Sequence, residues 1–225
     1  MSTFRIRSYV PRGRRTQAQE RAYQELWPQV GLQIENGLLN YPQIFGRNAP
    51  CYLEIGFGSG QSLLALAAAR SDCDFIGVET HQPGIGALCM GIQSAALSNI
   101  RIYYADVIDV LEKCIAPDSL HGIQIFFPDP WQKRRHHQRR LIQPAFIQHV
   151  TSRLQTNGIL HLATDWQDYS CEMLQALSAA PQLINLAGAG QFSSERSSQR
   201  PIVTKFEMRA LREGRNIWEM QCVKA

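Results

Sequence analysis

The sequence lacks the segments that mark secreted and membrane-spanning proteins. It has no N-terminal apolar stretch typical of a signal peptide, and no apolar run approaches the ~20 residues needed to cross a bilayer. Its six cysteines form no C-x-x-C pair, which argues against a zinc site, and several lie in apolar runs. We therefore expect buried thiols in a reducing compartment, and so a cytoplasmic protein without disulfides, metal or a membrane partner.

Positive charge is modest overall but unevenly distributed. The 225 residues carry a net charge of +4, yet the first fifteen contain five arginines and no acid. A second basic cluster occupies residues 133–140. Two local basic patches are typical of a protein that binds a polyanion, although each could also be a plain solvated surface. The arginines of the first patch are Arg5, Arg7, Arg12, Arg14 and Arg15.

From residue 51 onward, apolar strand-like segments alternate with helix-like ones. The strand-like segments are CYLEI, DFIGVET, IRIYYAD, GIQIFF and GILHLATD. The alternation predicts a mostly parallel, doubly wound α/β sheet, and the nearly continuous apolar character of the strands indicates burial on both faces. Near the C-terminus, TKFEMRAL and NIWEMQCV, joined by REGR, predict an antiparallel hairpin at the sheet edge.

The region before the first of these strands has a different character. Residues 16–30 predict a helix with Thr16 as its N-cap and Pro28 as its breaker. We therefore divide the chain into a basic N-terminal arm and helix, residues 1–45, and one sheet domain, residues 46–225.

Every predicted strand from residue 51 to residue 165 carries a carboxylate at or near its carboxyl end. Ligands of open α/β sheets bind outside that end of the strands, so these side chains mark a binding edge. A single acid after a strand is usually a helix cap, but five are hard to explain as caps. The five are Glu54, Glu79, Asp106, Asp129 and Asp165.

The glycine loop after the first strand distinguishes between cofactors. Gly56, Gly58 and Gly60 have G-x-G-x-G spacing, and Gln61 stands where a dinucleotide fold would place its third glycine. Glu54, just before the loop, would repel a pyrophosphate but suits an ammonium group. This spacing, together with the basic cluster, disfavours an NAD-dependent dehydrogenase.

Two further acids suit the remaining parts of a nucleoside cofactor. Glu79 follows about twenty residues later, where an acid binds the two ribose hydroxyls. Asp106, after the third strand, is placed to accept a hydrogen bond from an adenine amino group. A ribose, an adenine and a cationic amino-acid tail together indicate S-adenosylmethionine.

Six segments in one order resemble the bacterial tRNA (guanine-N7-)-methyltransferase family, and the resemblance covers almost the whole chain. They are LEIGFGSGQSL, GVETHQPG, YYADVIDVL, FFPDPWQKRRHHQRR, ATDWQDY and RPIVTKFEMRALREG. The P-D-P-W and T-K-F-E blocks are specific, whereas many methyltransferases share the glycine loop. The resemblance implies a class I S-adenosylmethionine-dependent methyltransferase that acts on guanine N7 at position 46 of the tRNA variable loop. It leaves open whether the protein is a monomer or a homodimer.

The resemblance also implies roles for individual residues. It places Glu54, Glu79, Asp106 and Asp129 at the cofactor. It places six residues at the substrate: Lys133, Asp165, Thr204, Lys205, Phe206 and Glu207. Two positions depart from the family pattern: Gln138, where lysine is common, and Ala210, where glycine is usual. The first is expected to weaken a phosphate contact and the second to shift the hairpin turn.

Guanine N7 carries an in-plane lone pair and no proton, so methylating it needs no strong base. The purine gains positive charge, which a carboxylate beside the ring stabilises while it holds the base in place. Asp129, held between Pro128 and Pro130, is the predicted catalytic residue, although an Asp-Pro pair can also simply start a turn. The predicted RNA-phosphate contacts in the second basic cluster are Arg134, Arg135, Arg139 and Arg140.

Two alternatives remain open at the level of sequence. Exocyclic-amine methyltransferases carry [N/D]-P-P-[Y/F] after the fourth strand, and P-D-P-W is one step out of that pattern. A non-catalytic RNA-binding protein on a methyltransferase fold would not need the intact Glu54, Glu79 and glycine set, and it should have no affinity for S-adenosylmethionine.

Overall fold

The computed structural model describes residues 13–225, so the predicted contacts of Arg5, Arg7 and Arg12 lie outside the described residues. The described chain divides into two compact units. The first contains residues up to 116 together with 199–202, and the second contains residues 117–198 and 203–225. From residue 13 onward, every helix is too short or too polar to cross a membrane.

The first unit is built around four parallel strands. Its elements are α1 (Gln17–Val30), β1 (Gly31–Leu32), a 3-10 helix (Ile34–Asn36), α2 (Tyr41–Phe45), β2 (Cys51–Ile55), α3 (Gln61–Ala69), β3 (Asp74–Glu79), α4 (Gln82–Ala95), β4 (Ile100–Tyr104) and α5 (Val107–Lys113). The strands lie in the order β1-β4-β3-β2, and all three pairings are parallel. Leu53, Ile76 and Ile102 are fully buried, and each such side chain contributes about 1.5–3 kcal/mol of hydrophobic stabilisation.

Helix α1 belongs to this unit rather than to a separate N-terminal segment. Thr16 caps it as predicted, in a capping box with Gln19. The helix continues through Pro28 to Val30, because a proline in the last turn removes only one hydrogen bond. Ala22 and Val30 pack in the same apolar cluster as Leu88 of α4. Helix α1 thus packs within the first unit, and the domain boundary near residue 45 stays a prediction.

The second unit combines parallel and antiparallel pairing. Its elements are β5 (Leu120–Phe126), a 3-10 helix (Arg134–Arg139), α6 (Pro144–Arg153), β6 (Leu154–Thr164), α7 (Gln167–Ser178), β7 (Leu183–Asn185), α8 (Lys205–Arg212) and β8 (Trp218–Lys224). β5 and β6 are parallel, whereas β8 runs antiparallel to β6 on one side and to β7 on the other. The predicted α/β class, mostly parallel with an antiparallel C-terminal pair, is confirmed.

The segment TKFEMRAL, predicted as the first strand of that pair, is instead helix α8. β7 takes its place beside β8. Local chemistry explains the difference, because Thr204 accepts a hydrogen bond from the backbone N of Glu207 and so caps the helix. Most of the residues that follow are good helix formers, and the two buried ones, Glu207 and Ala210, are spaced three apart.

Candidate active site

The glycine loop joins the end of β2 to the start of α3. Gly56, Gly58 and Gly60 all have left-handed backbone angles, with φ of +72°, +58° and +75°. Residues with a Cβ rarely adopt this region, which accounts for the G-x-G-x-G spacing. Gly56 N donates to the carbonyl of Val78 in β3 at 2.8 Å, so the loop starts from a fixed position.

A fourth glycine, which the sequence analysis missed, packs against this loop. A Cβ on Gly84, in the first turn of α4, would lie 2.1 Å from the carbonyl oxygen of Gly58. The two backbones therefore approach more closely than any residue with a side chain permits. The only sequence signal was the Pro83-Gly84 pair at the end of the segment GVETHQPG.

The Glu79 carboxylate is held by the loop backbone. Its Oε2 accepts from Gly58 N at 2.9 Å, and its Oε1 accepts from Thr80 N at 2.7 Å and His81 N at 3.0 Å. An ionised carboxylate offers about four acceptor positions, so capacity remains for a ligand hydroxyl. This geometry fits the predicted ribose contact.

Glu54 lies at the end of β2 and is almost completely buried, with 4% of its surface exposed. Burial and the negative charge of Glu79 raise the pKa of Glu54 to about 8. Within residues 13–225, its Oε2 atom has no hydrogen-bond partner. An unsatisfied buried carboxyl oxygen is costly, and a cationic ligand group such as an ammonium would satisfy it.

Two of the three remaining carboxylates after predicted strands have structural contacts. Asp106 caps α5 by accepting from Ile108 N at 2.9 Å, as a lone acid after a strand usually does. Asp165 pairs with Arg215 at 2.8 Å, a contact that sequence reasoning did not foresee. Glu54, Glu79 and Asp106 lie in the first unit, whereas Asp129 and Asp165 lie in the second.

Asp129 lies in an unusual loop after β5. Phe127 and Trp131, on either side of the P-D-P triplet, have φ of +52° and +46°. Left-handed conformations of residues other than glycine cost roughly 1–3 kcal/mol each and cluster at functional sites. Asp129 lies at the surface, where neighbouring groups partly desolvate its carboxylate and so raise its pKa. The described part of the chain supplies no hydrogen bond or ion pair to this carboxylate. The loop thus presents this carboxylate to solvent.

The basic cluster after this loop divides into exposed and buried members. Lys133, Arg134, Arg135 and Arg139 are exposed around the 3-10 helix. Arg140 is completely buried and pairs with two carboxylates of α7, so its predicted phosphate contact is wrong.

Of the first basic patch, only Arg14 and Arg15 are described. Arg14 is exposed. The Arg15 side chain is 9% exposed, pairs with Glu20 at 3.0 Å and lies over the ring of Tyr23. It therefore stabilises α1, and its predicted availability to a phosphate is not supported.

The T-K-F-E run divides in a similar way. Lys205 and Phe206 are exposed, and Phe206 is 61% exposed. Thr204 caps α8, while Glu207 is buried and accepts from Arg196 Nε at 2.9 Å. The described residues contain no group of three or more His, Cys, Asp or Glu placed to hold a metal ion.

Comparison with known proteins identifies the class of protein to which this fold belongs. The crystal structure of the 16S rRNA methyltransferase KamB superposes with a TM-score of 0.58 at 10% identity, covering 82% of this chain and 93% of that one. A family model described as "Putative methyltransferase" matches residues 48–220. The fold and the family model together define a class I methyltransferase.

Relatives narrow the class further. The tRNA (guanine-N(7)-)-methyltransferase of Alcanivorax borkumensis is 49% identical over 96% of this chain and 90% of its own length. The protein of the same name from Idiomarina loihiensis is 46% identical over 96% of this chain and 88% of its own. The chain belongs to the tRNA (guanine-N(7)-)-methyltransferase family.

Proposed function

We propose that this protein transfers a methyl group from S-adenosylmethionine to N7 of a guanine in tRNA, giving 7-methylguanosine at position 46 of the variable loop. The observation that carries the proposal is the Asp129 loop. It presents an exposed carboxylate between two strained residues and leads into a helix with exposed arginines. The proposal also rests on the 46–49% identity to relatives of that name.

The residues of the first unit fit the cofactor. S-adenosylmethionine supplies an electrophilic methyl group when bound. Glu54 would pair with its ammonium group, because this buried carboxyl has an unsatisfied oxygen. Glu79 would accept from the ribose hydroxyls, and the side-chain-free loop of Gly56, Gly58 and Gly60 would lie against the cofactor. Asp106 is assigned to the adenine amino group in addition to its role as a cap.

Asp129 is assigned the catalytic role. Its carboxylate would accept from guanine N1–H and the exocyclic amino group, which orients the ring. The same negative charge would stabilise the positive charge that the purine gains during methylation. Because N7 has no proton to lose, no residue is assigned as a general base.

The substrate is held by cations and by α8. Arg134, Arg135 and Arg139 would contact phosphates, with Lys133 nearest to the Asp129 loop in sequence. Lys205 and Phe206 of α8 are exposed and would contact tRNA directly, whereas Thr204 and Glu207 would act mainly by shaping the helix. Asp165 would contact the base from the end of β6. Since its substrate is tRNA, we assign the enzyme to the cytoplasm.

The test is incubation of the protein with labelled S-adenosylmethionine and an unmodified tRNA transcript, followed by mapping of the methylated base. We expect label on N7 of one guanine, at position 46, and none on a transcript with adenine there. Label on an exocyclic nitrogen would instead support the exocyclic-amine alternative. Absence of any cofactor binding in a titration would support the non-catalytic RNA-binding alternative.

A further inference from the structure

A single buried guanidinium joins three segments of the second unit. Arg140, with none of its surface exposed, donates through Nε to the carbonyl of Pro130 at 2.8 Å. Its Nη2 donates to Asp168 Oδ2 at 2.8 Å, and its Nη1 lies 2.9 Å from Glu172 Oε1. The guanidinium also lies over the ring of Tyr169, 4.7 Å from its centroid. Nε and Nη2 are thus hydrogen-bonded within the protein, and Nη1 is ion-paired with Glu172 although it makes no hydrogen bond within residues 13–225.

The contact with Pro130 bears directly on Asp129, the preceding residue. Phe127 and Trp131, which flank the P-D-P triplet, have strained backbone angles. Strained conformations persist only where the surrounding structure holds them. Arg140 provides such a contact inside the triplet itself, through the Pro130 carbonyl.

The contacts with Asp168 and Glu172 bear on Asp165. Helix α7 begins at Gln167, two residues after Asp165, and Asp168 lies in its first turn. Arg140 thus connects the loop that carries Asp129 to the helix that follows Asp165. These are two of the carboxylates assigned to the guanine.

We propose that Arg140 is a positioning residue: its guanidinium fixes the placement of Asp129 relative to Asp165 for methyl transfer, and it does not contact tRNA. The inference rests on the proposed function. It separates Arg140 from its neighbour Arg139, which is exposed and would contact phosphate. The two adjacent arginines would therefore act at different steps, one in placing the carboxylates and one in binding RNA.

The test compares Arg140→Met and Arg140→Lys with the matched control Arg139→Met. Lysine keeps the positive charge but loses the planar fork of five N–H donors, so it cannot reproduce the contacts to Pro130, Asp168 and Glu172. We expect both Arg140 variants to lower the single-turnover rate about 10- to 100-fold with both ligands saturating, since small displacements of reacting groups have effects of this size. The KM for tRNA and its salt dependence should change little.

Arg139→Met should show the opposite pattern. Its KM for tRNA should rise, and its log–log salt slope should fall by about 0.7–0.9 because one phosphate contact is lost. If Arg140→Met behaves in this way and Arg140→Lys restores binding, Arg140 is a phosphate ligand and the proposal is wrong.

A second readout needs no activity. Hydrogen exchange in the ligand-free Arg140 variants should be faster in peptides covering residues 127–139 and the first turn of α7, and unchanged in β2 and α3. Unaltered exchange in both regions would overturn the positioning role even if wild-type protein failed to methylate tRNA, so this result separates the inference from the proposed function.

A milder variant covers the case in which the Arg140 variants do not fold. Asp168→Asn leaves the guanidinium paired with Glu172 and alters a side chain that is 48% exposed. We expect the same direction of change in rate and exchange, by a smaller factor, without a shift in the salt slope. A wild-type rate together with wild-type exchange in Asp168→Asn would count against the proposal.

Discussion

Carboxylates in the two units are held in different ways. For two candidate-site carboxylates of the first unit, the holding groups belong to the backbone: Glu79 accepts from three backbone N–H groups, and Asp106 accepts from the backbone N of Ile108. In the second unit they are arginine side chains. The pairs are Asp165 with Arg215, Glu207 with Arg196, and Asp168 with Arg140.

This difference explains why the carboxylate contacts of the first unit could be predicted from the sequence and those of the second unit could not. Every residue except proline has a backbone N–H group that can bind a carboxylate. The glycine spacing predicts the loop that supplies such a donor, and Gly58 N in that loop binds Glu79. Arginine pairs join residues that are far apart in the chain, 28 positions for Arg140 and Asp168 and 11 for Arg196 and Glu207. Asp129 differs from both groups, because it is presented to solvent without a partner in the described residues.

The largest effect is expected from changing Asp129, an exposed carboxylate that no residue in 13–225 holds. Asp129→Asn keeps the size and an acceptor but loses the negative charge, and loss of such a contact typically costs roughly 10²–10³ in turnover. Folding and tRNA affinity should survive, because the residue is exposed and the phosphate contacts lie elsewhere. The measurement is single-turnover methyl transfer with both ligands saturating. A rate within about threefold of wild type, ~0.6 kcal/mol, would transfer the catalytic assignment to Asp165 or Glu207.

The next largest effect is expected for Glu79, whose carboxylate is held by backbone N–H groups. Glu79→Ala should weaken cofactor binding tenfold or more, because hydrogen bonds to a charged acceptor contribute roughly 1.5–3 kcal/mol each. Cofactor titration measures the change, and urea unfolding checks that the fold remains. Asp72→Ala, which removes an exposed carboxylate of the same unit, is the matched control and should leave cofactor affinity unchanged. Equal affinities for the Glu79 and Asp72 variants would falsify the ribose assignment.

A third effect concerns the buried carboxyl in the same region. The pKa of Glu54 is raised to about 8, whereas a glutamate in an unfolded chain has a pKa of about 4.3. Between these values the unfolded chain releases a proton that the folded protein keeps. The contribution of Glu54 to the free energy of unfolding is therefore full below about pH 4.3. It is lost as the pH rises toward 8, by up to about 1.4 kcal/mol per pH unit.

Urea unfolding of the ligand-free protein at pH 6 and pH 8 measures this dependence. Wild type should lose stability between the two pH values, and Glu54→Gln, which cannot ionise, should lose less. The difference between the two proteins isolates Glu54 from the other titrating groups. An identical loss in both would mean that Glu54 is already ionised at pH 6 in the folded protein.

The smallest effect concerns helix α8, where the structure departed from the predicted hairpin. Thr204→Ala removes the N-cap and should lower the free energy of unfolding by about 1 kcal/mol, measured by urea unfolding. Thr204→Ser retains a capping oxygen and should stay within a few tenths of wild type. If alanine and serine were equally stable, the cap would not be what favours the helix over a strand.

The sequence by itself determined the elements whose signals are local. The apolar segments became β2 to β6, Thr16 began a helix, and the glycine spacing marked a loop that only residues without a side chain can form. The position of acids after the strands also followed from sequence, because the carboxyl ends of parallel strands are binding positions.

Tertiary structure decided what the charged residues do. Arg140 and Arg139 are adjacent and chemically identical, yet one is buried among carboxylates and the other is exposed. The pattern of TKFEMRAL predicted a strand. Burial of Glu207 and Ala210 on one side of the segment favours helix α8 instead, in addition to the local cap from Thr204. Gly84 is required only because α4 approaches the carbonyl of Gly58. Backbone propensity depends on neighbours along the chain, whereas burial and ion pairing depend on neighbours that only folding brings within contact distance.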